Sequence, residues 1–225
     1  MAAQFMAAGF VHGVLNSDNI NITGESFDYG PWRFAPTFDA SFTAAYFDQS
    51  GLYAFGRQAE AIHWDCVQLA VALHGIADHD ALAASVEVFA PVYRAAIVAT
   101  MLARLGVVPR RDDTDAALVA AIERALVDSQ VPIDRFFFDW RGGDLRTASP
   151  PYADDDFAAL RAHIAPYAAA GMSPHAYWSD ADPCSMLIDE VEAIWRPIAA
   201  NDDWSLLDAK IAAVRRMGNA MALPL

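Results

Sequence analysis

Apolar positions recur at helical spacing over most of this 225-residue chain, and the exception is its first quarter. From Gln58 to Leu73 the positions Ile62, Cys66, Leu69, Ala70 and Leu73 share one helical face. A longer helix is expected over about 80–105, broken or kinked by Pro91 in its first third and ended at Leu105-Gly106. Asp113 or Thr114 can cap a helix to about Ser129 that turns Leu118, Ile122, Ala125 and Leu126 inward. Another is expected from Ile133 to Trp140, stopped by Gly142-Gly143. Asp154-Asp155-Asp156 then opens one to about Ala170, because acids favour a helix N-terminus. Two more run over 184–199 and 203–218, the last with Leu206, Leu207, Ile211, Val214 and Met217 inward. Thr147–Tyr152 reads as a linker and Ser173–Pro183 as a loop. The pattern is mainly α.

The exception is Gly9–Gly30. Residues 1–10 read as the tail of a helix, and an apolar run then enters a polar loop with two adjacent oxygen donors, Asp18 and Asn19. Ile20 and Ile22 alternate as in a strand, Gly24 turns the chain, and a second strand from Phe27 carries Asp28 back to the same place. A hairpin that returns a carboxylate beside an Asp-Asn pair suits a hard divalent cation, since Mg²⁺ takes a few protein oxygens and leaves room for phosphate oxygens. Protein kinases hold the metals on ATP with such a pair, a catalytic-loop Asn and the Asp of a following turn. Asn and Asp are also common turn residues, so spacing alone leaves the plain turn open. Residues 31–57 lack lasting periodicity and read as an extended loop packed by its aromatics, from Trp32 to Phe55.

The run His12-Gly13-Val14-Leu15-Asn16-Ser17-Asp18-Asn19, with Asp28-Tyr29-Gly30-Pro31 after it, resembles the selenoprotein O (SelO) family. These are pseudokinase-fold enzymes that transfer AMP from ATP to protein hydroxyls. Phe38-Asp39, Asp48, Gly51-Leu52-Tyr53-Ala54-Phe55, Gln58 and Trp64 extend the match, which is dense over 9–70, thinner to about 145 and weak beyond. The resemblance implies a protein-kinase-like C-lobe with a short β-hairpin at the catalytic loop, over 1–145. A divergent helical extension would occupy 146–225. It implies Asn19 and Asp28 as ligands of Mg²⁺ or Mn²⁺, Asp28 thereby touching ATP, and Asp18 as the catalytic base for a Ser, Thr or Tyr hydroxyl of a protein substrate. The usual kinase base position, two residues after the histidine, holds Val14. Loop-shaping roles fall to His12 and Asn16.

Composition changes the picture in one respect. The chain carries 15 cationic against 29 acidic side chains, a net charge of −14, which argues against nucleic-acid binding. Lys210 is the only lysine, and residues 1–60 hold just Arg33 and Arg57 as cations. A triphosphate needs cationic or backbone N–H clamps besides its metal. On this reading the chain has the metal half of an ATP site and little of the phosphate half; no Gly-rich loop follows a strand. The chain is therefore expected to correspond to the C-terminal half of such a protein, with the nucleotide-binding N-lobe absent. Alternatives are a half that works only with a separate N-lobe polypeptide, a kinase-like phosphotransferase, and a cation-binding helical module with no nucleotide.

Other features point elsewhere. No run of about 18 uncharged apolar residues suggests a membrane span, and no basic leader opens the chain. Cys66 and Cys184 are too few for a disulfide framework, which fits a reducing cytoplasm. His74, His79 and Asp80 look like a metal cluster but sit in an inter-helix turn. Cys66, on an apolar face, is expected to be inert. The end, Ala222-Leu223-Pro224-Leu225, lacks the Cys or selenocysteine tail of many family members.

Overall fold

The computed structural model describes residues 1–146, 150–170 and 175–222. The described residues form a mainly helical chain with one two-stranded antiparallel sheet, as the sequence pattern requires. They divide into two compact units, one built from 1–35 and 39–100, the other from 36–38 and 101–225.

In the first unit α1 (Ala2–Ala8) ends at Gly9, whose φ of 70° is the left-handed cap that glycine takes without strain. Strand β1 (Phe10–Val11) follows and pairs with β2 (Arg33–Phe34), Phe10 opposite Phe34 and Val11 opposite Arg33. The two strands enclose residues 12–32, so the polar loop is the connection of a long hairpin. The 20–27 segment is narrower than the expected pair of strands. It holds a single antiparallel bridge between Ile20 and Ser26, closed by Asn21 N–H donating to Glu25 O at 2.7 Å. Ile22 is exposed there and has no apolar layer to pair with, which is why the alternation stops at one bridge.

Helix α2 (Gln58–Leu73) has the expected bounds. The single long helix expected over 80–105 is two: α3 (His79–Glu87), capped by Asp78, and α4 (Phe89–Leu105). The break falls at Val88, which lets Pro91 sit in the first turn of α4, where its missing N–H is harmless. The stretch 79–105 is long and apolar enough to cross a membrane by length and composition alone, although Arg94 and Arg104 interrupt it. The first unit's buried residues include Ala2, Leu15 and Ile62, with Met1, Phe5, Ile20 and Tyr53 packed on them.

The second unit is helical. Gly106 (φ 73°) ends α4 as expected. Helix α5 (Asp113–Ser129) starts one residue after its cap, which is Asp112 rather than Asp113 or Thr114. The Asp112 carboxylate accepts from Thr114 N–H at 2.9 Å. After α6 (Ile133–Asp139) and the short α7 (Pro150–Ala153), α8 spans only Ala158–Ile164, because the chain tightens into a 3₁₀ run, 165–170, at Pro166. Helix α9 (Ile188–Asn201) begins later than the expected 184, and α10 spans Ser205–Ala222. Of the α10 residues expected inward, Leu206, Ile211 and Val214 are exposed. Met217 does pack inward as expected, beside the buried Ala220, against Phe138, Tyr177 and Trp178. Parts of the expected 147–152 linker, the 173–183 loop and the terminal residues 223–225 lie outside the described residues.

Buried cations organise this unit. Arg141 donates to Ala103 O and Arg104 O at 3.0 and 2.9 Å, and Arg104 pairs with Asp134 at 2.5 Å. Burial lowers the proton affinity of both guanidiniums. Lys210 pairs with Glu190.

Candidate functional site

His12 fastens the loop that follows β1. Its ring is fully buried, Nδ1 accepting from Val14 N–H at 3.4 Å and Nε2 lying 3.0 Å from Phe27 O. With Nδ1 accepting, Nε2 carries the proton and donates to Phe27 O. Burial pushes the imidazole below its ordinary pKa, consistent with a neutral ring. Gln58, buried at the start of α2, takes His12 N–H on Oε1 at 3.1 Å and donates from Nε2 to Phe10 O at 2.8 Å. β1, the loop and the residue before Asp28 are thus tied by two side chains.

Gly13 makes the tight approach possible. Its φ is +88°, and a Cβ there would stand 2.7 Å from Pro31 Cγ and 3.1 Å from Ala44 Cβ. Beyond it, residues Ser17–Asn19 form one 3₁₀ turn, closed by Asn19 N–H on Asn16 O at 2.9 Å. Tyr53 O–H donates to Asn16 Oδ1.

This turn separates the three site residues by exposure. Asp18 is exposed and Asn19 is buried. Asn19 Nδ2 donates to Val14 O at 3.0 Å, which orients the amide and leaves Oδ1 as the atom for a cation. Asn19 O accepts Phe27 N–H at 3.1 Å, so the returning chain is bonded directly to the turn. Asp28 comes next, exposed, at a φ of +55°. That is the left-handed region, which Asp tolerates better than most residues and which is over-represented at functional positions. The backbone therefore brings Asp18, Asn19 and Asp28 to one hairpin, as the spacing requires.

The donor set fits a hard cation. An amide oxygen and a carboxylate give two oxygen ligands and leave other positions to water or phosphate oxygens, the habit of Mg²⁺. No group of three His, Cys, Asp or Glu side chains forms a cage among the described residues. His79 and Asp80 form an exposed pair on α3, with the His74 ring beside His79. Of the two arginines in residues 1–60, Arg33 donates from Nε to Ala44 O at 3.1 Å and Arg57 pairs with Glu60 at 3.0 Å.

Sequence reading missed Asp65. It lies on α2, 6% exposed, and neither carboxylate oxygen meets a donor. Burial, and secondarily the charge of Asp18, pushes it up to about 6. A charged residue among Ile62, Cys66 and Leu69 on the apolar face of α2 is the signal that could have found it. Cys66 is half-buried on that helix, and burial pushes its thiol up, away from reactivity.

The ordered loop thus presents two exposed carboxylates, Asp18 and Asp28, on either side of the buried amide of Asn19. Residues 1–158 match the family described as "Protein adenylyltransferase SelO". The chain is also 33% identical to the "Protein nucleotidyltransferase YdiU" of Synechocystis sp., over 91% of this chain and 47% of that protein. It is 42% identical to that of Trichodesmium erythraeum over 69% of this chain and 32% of the relative, and 34% identical to that of Synechococcus sp. over 99% and 50%. This chain belongs to the SelO family. It spans about half or less of the length of these relatives.

Proposed function

We propose that this chain carries the metal-binding and base-bearing half of a protein adenylyltransferase. Asn19 and Asp28 would hold a Mg²⁺ ion on ATP, and when bound the ion would neutralise charge on the phosphates and on departing pyrophosphate. Asp18 takes the proton of a Ser, Thr or Tyr hydroxyl of a protein substrate as its oxygen attacks the α-phosphorus. The bond from that phosphorus to the bridging oxygen of pyrophosphate breaks as the new ester forms. Asn19 keeps its amide oriented through Val14 O, and His12 keeps Phe27, and so Asp28, against the turn.

The observation that carries the reading is the bond from Phe27 N–H to Asn19 O, which sets the last two members of the motif side by side. Attack at the α- rather than the γ-phosphate rests on the family alone. Incubation of an acceptor protein with α- and γ-labelled ATP separates the two: label from the α-position only is expected. Asp18→Asn should lower the rate by about 10²–10⁴-fold, the range of a positioned general base. Transfer of γ-label, or an unimpaired Asp18→Asn enzyme, would contradict the proposal.

That residues 1–60 hold only Arg33 and Arg57 as cations favours a second reading, in which another polypeptide segment supplies the phosphate clamps. Transfer that appears only on adding the N-terminal half of a relative would favour it.

A further inference from the structure

A cavity of about 540 Å³ opens in the first unit between α1, α2, α4 and the Ser17–Asn19 turn. That is within the range of small-ligand pockets, roughly 300–1,000 Å³. Its wall is largely apolar, with Ile20, Ile62, Leu69, Phe89 and Val92 around one carboxylate, Asp65. Asp65 is more than nine-tenths buried and neither oxygen meets a protein donor. Such a group is rare, because a buried carboxylate without donors is expensive and nearly all buried polar atoms are paired. The charge it feels from Asp18 has the same sign.

We propose that this cavity binds a small organic cation, a primary ammonium or guanidinium on an apolar stem. The head group pairs with Asp65 and the stem lies along Ile20, Ile62 and Leu69. The carboxylate oxygens are out of water's reach, so pairing turns the Asp65 side chain toward the cavity it lines. In that dry setting a charge-assisted bond is stronger than at the surface. An alcohol of the same length gains the apolar contacts without the pair, and a carboxylate meets repulsion.

The test is titration of the whole chain with hexylammonium, hexanol and hexanoate, without nucleotide, followed by methyl NMR. Hexylammonium should bind at least about tenfold tighter than hexanol, with shifts at Ile20, Ile62 and Leu69, and hexanoate should not bind. Asp65→Asn should bring hexylammonium to the level of hexanol. Ala72→Phe, which fills the cavity and leaves Asp65 in place, should abolish both. Equal affinity for hexylammonium and hexanol would overturn the proposal, as would binding indifferent to Asp65→Asn in a variant that melts cooperatively. An apolar peptide bearing one lysine that binds the same methyls more tightly than hexylammonium would overturn the small-ligand assignment.

Discussion

Two buried titratable residues in the first unit pull its stability in opposite directions with pH. Below pH 6.5 the unfolded chain protonates His12 while the folded chain, with its lowered affinity, resists. This contribution is complete above 6.5 and is lost as pH falls toward the folded value. Asp65 is the reverse: the folded state holds a proton up to about pH 6 that the unfolded chain releases near 3.8. Its burial therefore destabilises the protein most above pH 6 and not at all below about 4. Asp65→Asn should accordingly raise stability at pH 7.5 by about 1–3 kcal/mol, with the gain vanishing near pH 4. Denaturant melts at both values check this. An unchanged midpoint at pH 7.5 would mean that Asp65 is solvated. The hairpin that carries Asp18, Asn19 and Asp28 was legible in the sequence, because local turn and strand signals set it. Asp65 was not, because its character comes from what α2 packs against rather than from its neighbours in the chain.

At the scale of the element, the hairpin depends on a glycine. Gly13→Ala places a Cβ against Pro31 and Ala44 at a φ that only glycine adopts freely, and should cost about 2–4 kcal/mol. A loss of under 0.5 kcal/mol in a thermal melt would show that the loop gives way readily. Helix bounds were legible where a local rule sets them, as for α2 and the Gly106 cap. They were misjudged where two rules competed. Pro91 suggested a break or a kink, and the chain breaks, but at Val88, ending α3 at Glu87 and restarting at Phe89 so that the proline falls in the first turn of α4. Asp112 outcompeted its neighbours as a cap because its extended backbone, with ψ at −177°, points the carboxylate at Thr114 N–H. For α10, periodicity marked a face of which Met217 packs inward, while Leu206, Ile211 and Val214 stay exposed and the fully buried contact is Ala220, near the helix end.

At the scale of the whole molecule, composition and site agree. The chain carries a net charge of −14, residues 1–60 hold only Arg33 and Arg57 as cations, the second of them paired with Glu60, and the single lysine is paired with Glu190 in the second unit. On the proposed reading, nucleotide affinity would come mainly through a cation on Asn19 and Asp28, and should be strictly metal-dependent. Removing the metal with a chelator should abolish binding rather than weaken it. Isothermal titration of ATP into the 225-residue chain, with and without Mg²⁺ and with Asp28→Gly, tests this most directly. Glycine removes the carboxylate while accepting the φ of +55°, so a loss reports the ligand and not the backbone. Binding that requires Mg²⁺ and drops at least about tenfold in Asp28→Gly is the expected result. Equal binding by both chains, or binding indifferent to Mg²⁺, would contradict the assignment of the hairpin as the metal site.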